Sequence, residues 1–251
     1  TISSAIKIAI DERQSEDRLK QAHKKIYIII AGGEYTYEHE YGAINGNASI
    51  ITLAGFAQNF YTDLEILGGY LSDDPCLEIS KNIQIRNEQS GGAPERVTVL
   101  DGQTKSNHVV EIASGASNIL LKGFSIQNGK AVEDLPRQEY KKMGGAILVR
   151  THAKNISLEN LQISSSEADM MGGCMAIIDN VQDINFTNVQ FTGCVAKRGG
   201  GALYIGDDVN DVVTRNFSIK KSLATGANAF GGGLLIAARA KNIFFIDGTI
   251  S

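Results

Sequence analysis

The 251-residue chain has no tryptophan, three prolines, three cysteines, little net charge and no long apolar run. Its longest aliphatic stretch, Ile26–Ala31, is far too short to cross a bilayer. Cys76, Cys174 and Cys194 cannot all pair within one chain. They show neither CxxC spacing nor a neighbouring histidine, which argues against a zinc or thiol-redox motif. His23, His39, His108 and His152 are scattered, so nothing local points to a metal site or a catalytic triad. Twenty-four basic against 28 acidic side chains give −4, which supplies no footprint for nucleic acid or anionic lipid. No signal peptide is visible, which leaves a cytosolic or an already processed chain.

Glycine, in contrast, is plentiful. Twenty-seven glycines against three prolines point to many tight turns between strands. Hydrophobic residues at 43% and charged residues at 21% are ordinary globular values, which excludes wholesale disorder.

The glycines recur with a period. Gly-Gly followed by an apolar strand stands at 144–145, 172–173, 200–201 and 232–233, in steps of 28, 28 and 32 residues. Asn155, Asp183 and Asp211 follow ten residues after the second glycine, and Asn242 follows after nine. Five further on stand Asn160, Asn188, Asn216 and Asp247. An alanine column, Ala168, Ala196 and Ala224, completes the register, and a partial earlier copy runs from Asn118 to Ala131. Each unit reads as three short strands with alternating apolar residues, for example Met175 and Ile177, Ile184 and Phe186, Val189 and Phe191. One unit cannot cover its own apolar face, whereas stacked units bury a continuous core.

The predicted fold is therefore all-β, a right-handed single-stranded parallel β-helix, since parallel crossovers are almost always right-handed. Asn160, Asn188 and Asn216 are its structural column, because asparagine tolerates the left-handed conformation and its amide bonds to a copy stacked above. Residues 1–25 open with apolar positions at helical spacing and predict an N-terminal cap helix. Residues 26–251 form the β-helix, with regular 28-residue coils from about 116 and upstream strands at 26–30, 49–53, 64–67, 83–85, 97–100 and 108–112. Residues 247–251 stop inside a coil, which predicts a longer parent chain. Insertions fall at one corner, in 129–143 and 225–230, and project as loops from one edge.

The stretch Gly144-Gly145-Ala146-Ile147, and Phe191–Ala196 with Gly199–Tyr204, resemble the GGAI and FxxN repeats of polymorphic outer-membrane proteins. Those are secreted bacterial surface β-helices, often autotransporter passengers acting as adhesins. Ile66–Tyr70, Val99–Gly102 and Gly123–Gly129 are similar to the wider pectin-lyase-like superfamily of extracellular bacterial proteins. The resemblance covers residues 25–251. It implies an extracellular or outer-membrane surface location and a scaffold that binds protein or glycan. It departs from the repeat pattern at Cys194, which stands where FxxN has asparagine.

Polysaccharide lyases and hydrolases of that superfamily carry their acids on the outward face of the first strand and nearby turns, for calcium-assisted proton abstraction or paired-carboxylate hydrolysis. The outward column here reads Leu148, Ala176, Tyr204 and Ile236, with no acid. Glu167, Asp169, Lys197 and Arg198 are the best catalytic candidates, and exposed ion pairs are their alternative reading. Asp179, Asp183, Asp207, Asp208 and Asp211 cluster at the turn after the first strand and are candidate calcium ligands, the only cofactor suggested. Cys174 and Cys194 share a corner, so a disulfide is one reading and two small buried side chains the other.

The apolar outward positions Leu148, Tyr204 and Ile236, with loop residues Asp134 and Arg137, predict either a protein-contact or glycan face or a surface that the loops cover. The leading functional expectation is a non-catalytic adhesion or binding scaffold on the cell surface. The alternatives are a carbohydrate-active enzyme and a structural subunit joined by end-to-end or face contacts.

Overall fold

The computed structural model describes Ile8 and residues 26–31, 33–36, 51–53, 64–70, 97–105, 108–132 and 139–251. The described strands form three sheets, and every strand pair is parallel. This all-β, all-parallel arrangement is compatible with a parallel β-helix. No helix among the described residues is long and apolar enough to cross a membrane. Of residues 1–25 only Ile8 is described, so the expected cap helix lies outside the described residues, as does the strand expected at 83–85.

Each unit from Gly144, Gly172 and Gly200 gives one strand to each sheet. The first sheet holds Ile51–Leu53, Val110–Ile112, Ile147–Val149, Met175–Ile177, Leu203–Ile205 and Leu234–Ile236. The second and largest includes Ser117–Lys122, Lys154–Ser164, Gln182–Thr192, Asn210–Lys220 and Lys241–Ile250. The third is a ladder of two-residue strands, Lys130–Ala131, Glu167–Ala168, Val195–Ala196 and Leu223–Ala224. Two details differ from the sequence reading. The expected second and third strands are arms of one long strand from Lys154 onward, and the alanine column is itself a strand.

The bend between the two arms has a local cause. Asn160, Asn188, Asn216 and Asp247 all sit at φ of 51–55°, the left-handed region, and Gly123 fills the corresponding place one coil earlier. A second such column, Asn118, Asn155, Asp183, Asp211 and Asn242, lies near the start of the same strands. Asparagine and aspartate reach this conformation more easily than other side chains. The amides also link coils: Asn188 Nδ2 donates to Asn160 Oδ1 at 2.8 Å, and Asn216 Nδ2 donates to Asn188 Oδ1 at 2.7 Å. Asn155 donates to Asn118 Oδ1 at 2.6 Å in the neighbouring column.

Asn188→Ala should therefore lose two side-chain bonds and strain a left-handed backbone, a loss of about 2–3 kcal/mol. Asn188→Gly keeps the backbone permissive and should lose only about 1 kcal/mol. Denaturant unfolding of the two variants separates the contributions. Equal losses would remove the conformational part of the explanation.

The last coil corrects the register. Leu203 pairs with Leu234 and Ile205 with Ile236, so the step there is 31 residues, not 32. The dipeptide equivalent to Gly200-Gly201 is Gly231-Gly232, and Gly231 has the positive φ (58°) of Gly144, Gly172 and Gly200. With that register Asn242 and Asp247 fall ten and fifteen residues after Gly232, as in every other coil.

Between the sheets runs one apolar core from Ile28 and Leu64 through Ile147, Met175, Phe186 and Phe191 to Phe217 and Ile219. Phe217 packs edge-on against Phe186 and Phe191, with ring centroids 6.2 and 5.5 Å apart, and tilts against Phe245. Each fully buried Leu, Ile or Phe contributes about 1.5–3 kcal/mol relative to exposure. The last described coil adds a strand to the first and second sheets, and there Phe244, Phe245 and Ile250 are exposed.

Candidate functional site

Register, rather than sequence distance, builds the site. Thr52, Glu111, Leu148, Ala176, Tyr204 and Leu235 occupy one column of the first sheet. The flanking positions, Ile147 and Val149 or Met175 and Ile177, belong to the core. By alternation this column faces outward.

Two corrections follow. The fourth member of the outward column is Leu235, and Ile236 lies in the inward column beside Ile205. The column does contain an acid, Glu111, one coil before Leu148.

The expected apolar face is closed over much of this column. Leu148 and Ala176 are both fully buried although neither belongs to the core cluster, so they are covered from outside. A short 3-10 helix, Glu139–Lys142, ends the inserted loop and reaches Glu111, the neighbouring member of the column, through Lys141. Lys141 Nζ and Arg150 Nη1 each reach a Glu111 carboxylate oxygen at 3.2 Å. Arg150 lies over the Tyr140 ring, 4.6 Å from its centroid. Glu111, 7% exposed, is thus balanced by two cations, which is what a nearly buried carboxylate requires. Leu148 is consequently packing, not a contact residue. Asp134 and Arg137 lie outside the described residues.

Tyr204 is only partly buried. It lines an open cleft of about 440 Å³ together with Glu139, Tyr140, Met143, Ile178 and Asp179. Burial raises the Tyr204 phenol above its usual pKa, and the charges of Asp179 and Asp207 raise it further, so it remains a hydroxyl donor. Asp179 Oδ1 accepts the Asp207 N–H at 2.9 Å, which fixes that carboxylate on the cleft wall.

The other sequence candidates have different surroundings. Glu167 pairs with Lys130, and Lys197 Nζ lies 2.6 Å from Asp169 Oδ1, both pairs being exposed links between adjacent coils. The Glu167 carboxylate raises the Lys130 pKa through that hydrogen bond and its charge. Arg198 donates its backbone N–H to Met170. None of the four lines the cleft.

Among the calcium candidates, Asp207 and Asp208 face Arg239, whose Nε lies 3.0 Å from Asp208 Oδ2 and whose Nη2 lies 3.6 Å from Asp207 Oδ2. Asp211 accepts from Asn210 and Asn242, and Asp183 and Asp211 hold left-handed corner positions. Among the described residues no three His, Cys, Asp or Glu side chains form a group able to hold a metal ion. Cys174 and Cys194 are joined as a disulfide with Cα atoms 5.3 Å apart, both side chains buried.

His108 lies beneath the same corner, fully buried, with Nδ1 2.9 Å from the Gly144 carbonyl oxygen. Burial lowers its pKa to about 4, against the raising effects of the Gly144 carbonyl and Glu111. Lys141 and Arg150 lower it further. The unfolded chain takes up this proton below its ordinary value of 6.5, and the folded chain does so only near 4. Stability is therefore complete above pH 6.5 and falls as the pH drops towards 4. Linkage gives a loss of about 2 kcal/mol between about pH 7 and about pH 5. His108→Gln should flatten that part of the profile, measured as the difference between the two proteins' unfolding curves. Parallel curves would show that His108 does not titrate this way.

No family model, no curated protein and no solved structure matches this chain.

Proposed function

We propose that this chain is a right-handed parallel β-helix, secreted or held at a bacterial cell surface, that serves as a non-catalytic binding scaffold for a glycan. The observation that carries the reading is the Tyr204 cleft. Two tyrosines and two aliphatic side chains stand there beside a few polar groups, in an open trough of about 440 Å³. Aromatic faces suit the C–H faces of sugars, and the flanking oxygens suit their hydroxyls. The inserted helix that walls the cleft is the kind of one-edge addition on which repeat folds build binding faces. A disulfide in the core of a chain this size is in keeping with an oxidising, extracellular setting.

A glycan array, followed by calorimetry on the strongest hit, tests this. Tyr204→Ala should weaken that binding at least tenfold and should cost less stability than removal of a core ring, since the side chain is partly exposed. Unaltered affinity in the variant would remove the cleft from the account.

One observation favours a second reading, a carbohydrate-active enzyme. Glu139 and Asp179 present two carboxylates to the same cleft, the minimum equipment for glycoside hydrolysis. Release of reducing ends from a glycan that binds, abolished by Glu139→Gln or Asp179→Asn, would establish it.

A further inference from the structure

The charges of the cleft point to a class of sugar. Its two charged lining residues, Glu139 and Asp179, are both acidic. Glu139 makes no ion pair among the described residues. Asp179 accepts one neutral backbone N–H, which fixes its carboxylate without cancelling the charge. The neighbouring cations are already engaged. Lys141 and Arg150 both serve Glu111, and Arg239 serves Asp207 and Asp208 with a weaker long-range attraction to Asp179. Arg150 also occupies a face of Tyr140.

A uronate carboxylate entering this trough would meet two like charges and no uncommitted cation among its lining residues. An ammonium group would meet two carboxylates and the Tyr204 ring, a combination that favours cations, whereas the Tyr140 ring already carries Arg150 and Lys141. Sugar hydroxyls would find the Tyr204 hydroxyl and the remaining carboxylate oxygens.

Resting on the glycan-binding reading above, we infer that the cleft selects a polymer of hexosamine with unsubstituted amines and discriminates against uronans. Attraction between fixed carboxylates and ammonium groups also makes the selection sensitive to salt.

The test uses the full chain and four probes in calorimetry at pH 6: a β-1,4-linked glucosamine hexamer, its fully N-acetylated form, a galacturonate hexamer and hexalysine. The glucosamine hexamer should bind at least tenfold more tightly than the acetylated form and more than a hundredfold more tightly than the galacturonate. Raising salt from 20 to 500 mM should reduce that preference severalfold. Glu139→Gln combined with Asp179→Asn should cost the glucosamine hexamer at least tenfold in affinity. The asparagine retains an acceptor for the Asp207 N–H, so this pair tests charge rather than folding.

Galacturonate binding as tightly as glucosamine, still dependent on Tyr204, would overturn the charge inference and leave the glycan reading intact. Hexalysine binding as tightly as the glucosamine hexamer, without dependence on Tyr204, would overturn the sugar in favour of a basic peptide. Binding of none of the three sugars would overturn the inference together with the reading beneath it.

Discussion

Gly173→Ala is expected to destabilise the chain by about 4 kcal/mol, above the 1–3 kcal/mol common for overpacking. A Cβ at this position would lie 2.3 Å from the Gly201 carbonyl oxygen and 2.4 Å from that of Val195. Both obstacles are backbone, and both belong to hydrogen-bonded parallel strands or the turns that feed them. Relief therefore requires two coils to separate. Gly145 and Gly201 are as tightly placed, against Gly173 and Gly232 respectively, so the requirement recurs along the axis.

Gly193→Ala is the control. Gly193 has φ of 65° but open space where a Cβ would stand, so it should cost only about 1–2 kcal/mol for the left-handed backbone. Chemical denaturation of both variants distinguishes steric exclusion from backbone preference. If the two lose equal stability, close approach between coils is not what the second glycine of each pair provides.

Removal of the Cys174–Cys194 bond should lower stability by about 3 kcal/mol, the chain-entropy value for a loop closed over 20 residues. The repeat itself supplies clean replacements. The equivalents of Cys174 in adjacent coils are Ala146 and Ala202, and those of Cys194 are Ser166 and Ser222. Ser166 Oγ already donates to the Ser164 carbonyl, and Ser222 Oγ to that of Lys220. Cys174→Ala with Cys194→Ser thus substitutes residues that fit those places in the neighbouring coils. Dithiothreitol should shift the unfolding midpoint of the parent protein and leave the double variant unmoved. A double variant as stable as the oxidised parent would mean that the cross-link constrains nothing the coils do not already constrain.

The parallel repeat was legible because left-handed corners restrict residue choice so severely. Where φ must be positive, Asn, Asp and Gly recur, and their spacing reports the coil length directly. Asn188 and its counterparts are the clearest case. The third sheet was less legible, since two-residue strands such as Val195–Ala196 are too short to show alternation. In the last coil three consecutive glycines permit two registers. Only the distances to Asn242 and Asp247 choose between them, and the one-residue slip placed Ile236 outward in error.

Glu111 was missed for a related reason. His108 stands where later coils have glycine, so no Gly-Gly marks that strand. A signal did exist, because Asn118 follows His108 by the same ten residues that separate Gly145 from Asn155. The cover over Leu148 was not legible at all. Beside it Lys141 and Arg150 meet Glu111 and pack on Tyr140 across a loop insertion, an arrangement that no periodicity encodes.

The corner columns impose an arithmetic on how such a chain can change in length. Within a strand, one added or lost residue would shift every later side chain in that strand from its partner, whereas duplication or deletion of a whole unit leaves each ladder and core column aligned. The tolerated exceptions stand at corners: three residues ahead of Gly231 and nine ahead of Gly144 before the first strand, and a longer insertion at the bend between Leu67 and Thr98, whose partners Lys122 and Phe124 are nearly adjacent in the next coil; pairing resumes beyond each. Growth by whole units extends the three parallel sheets, and growth at the corners adds what lies beside them. The two can therefore vary independently.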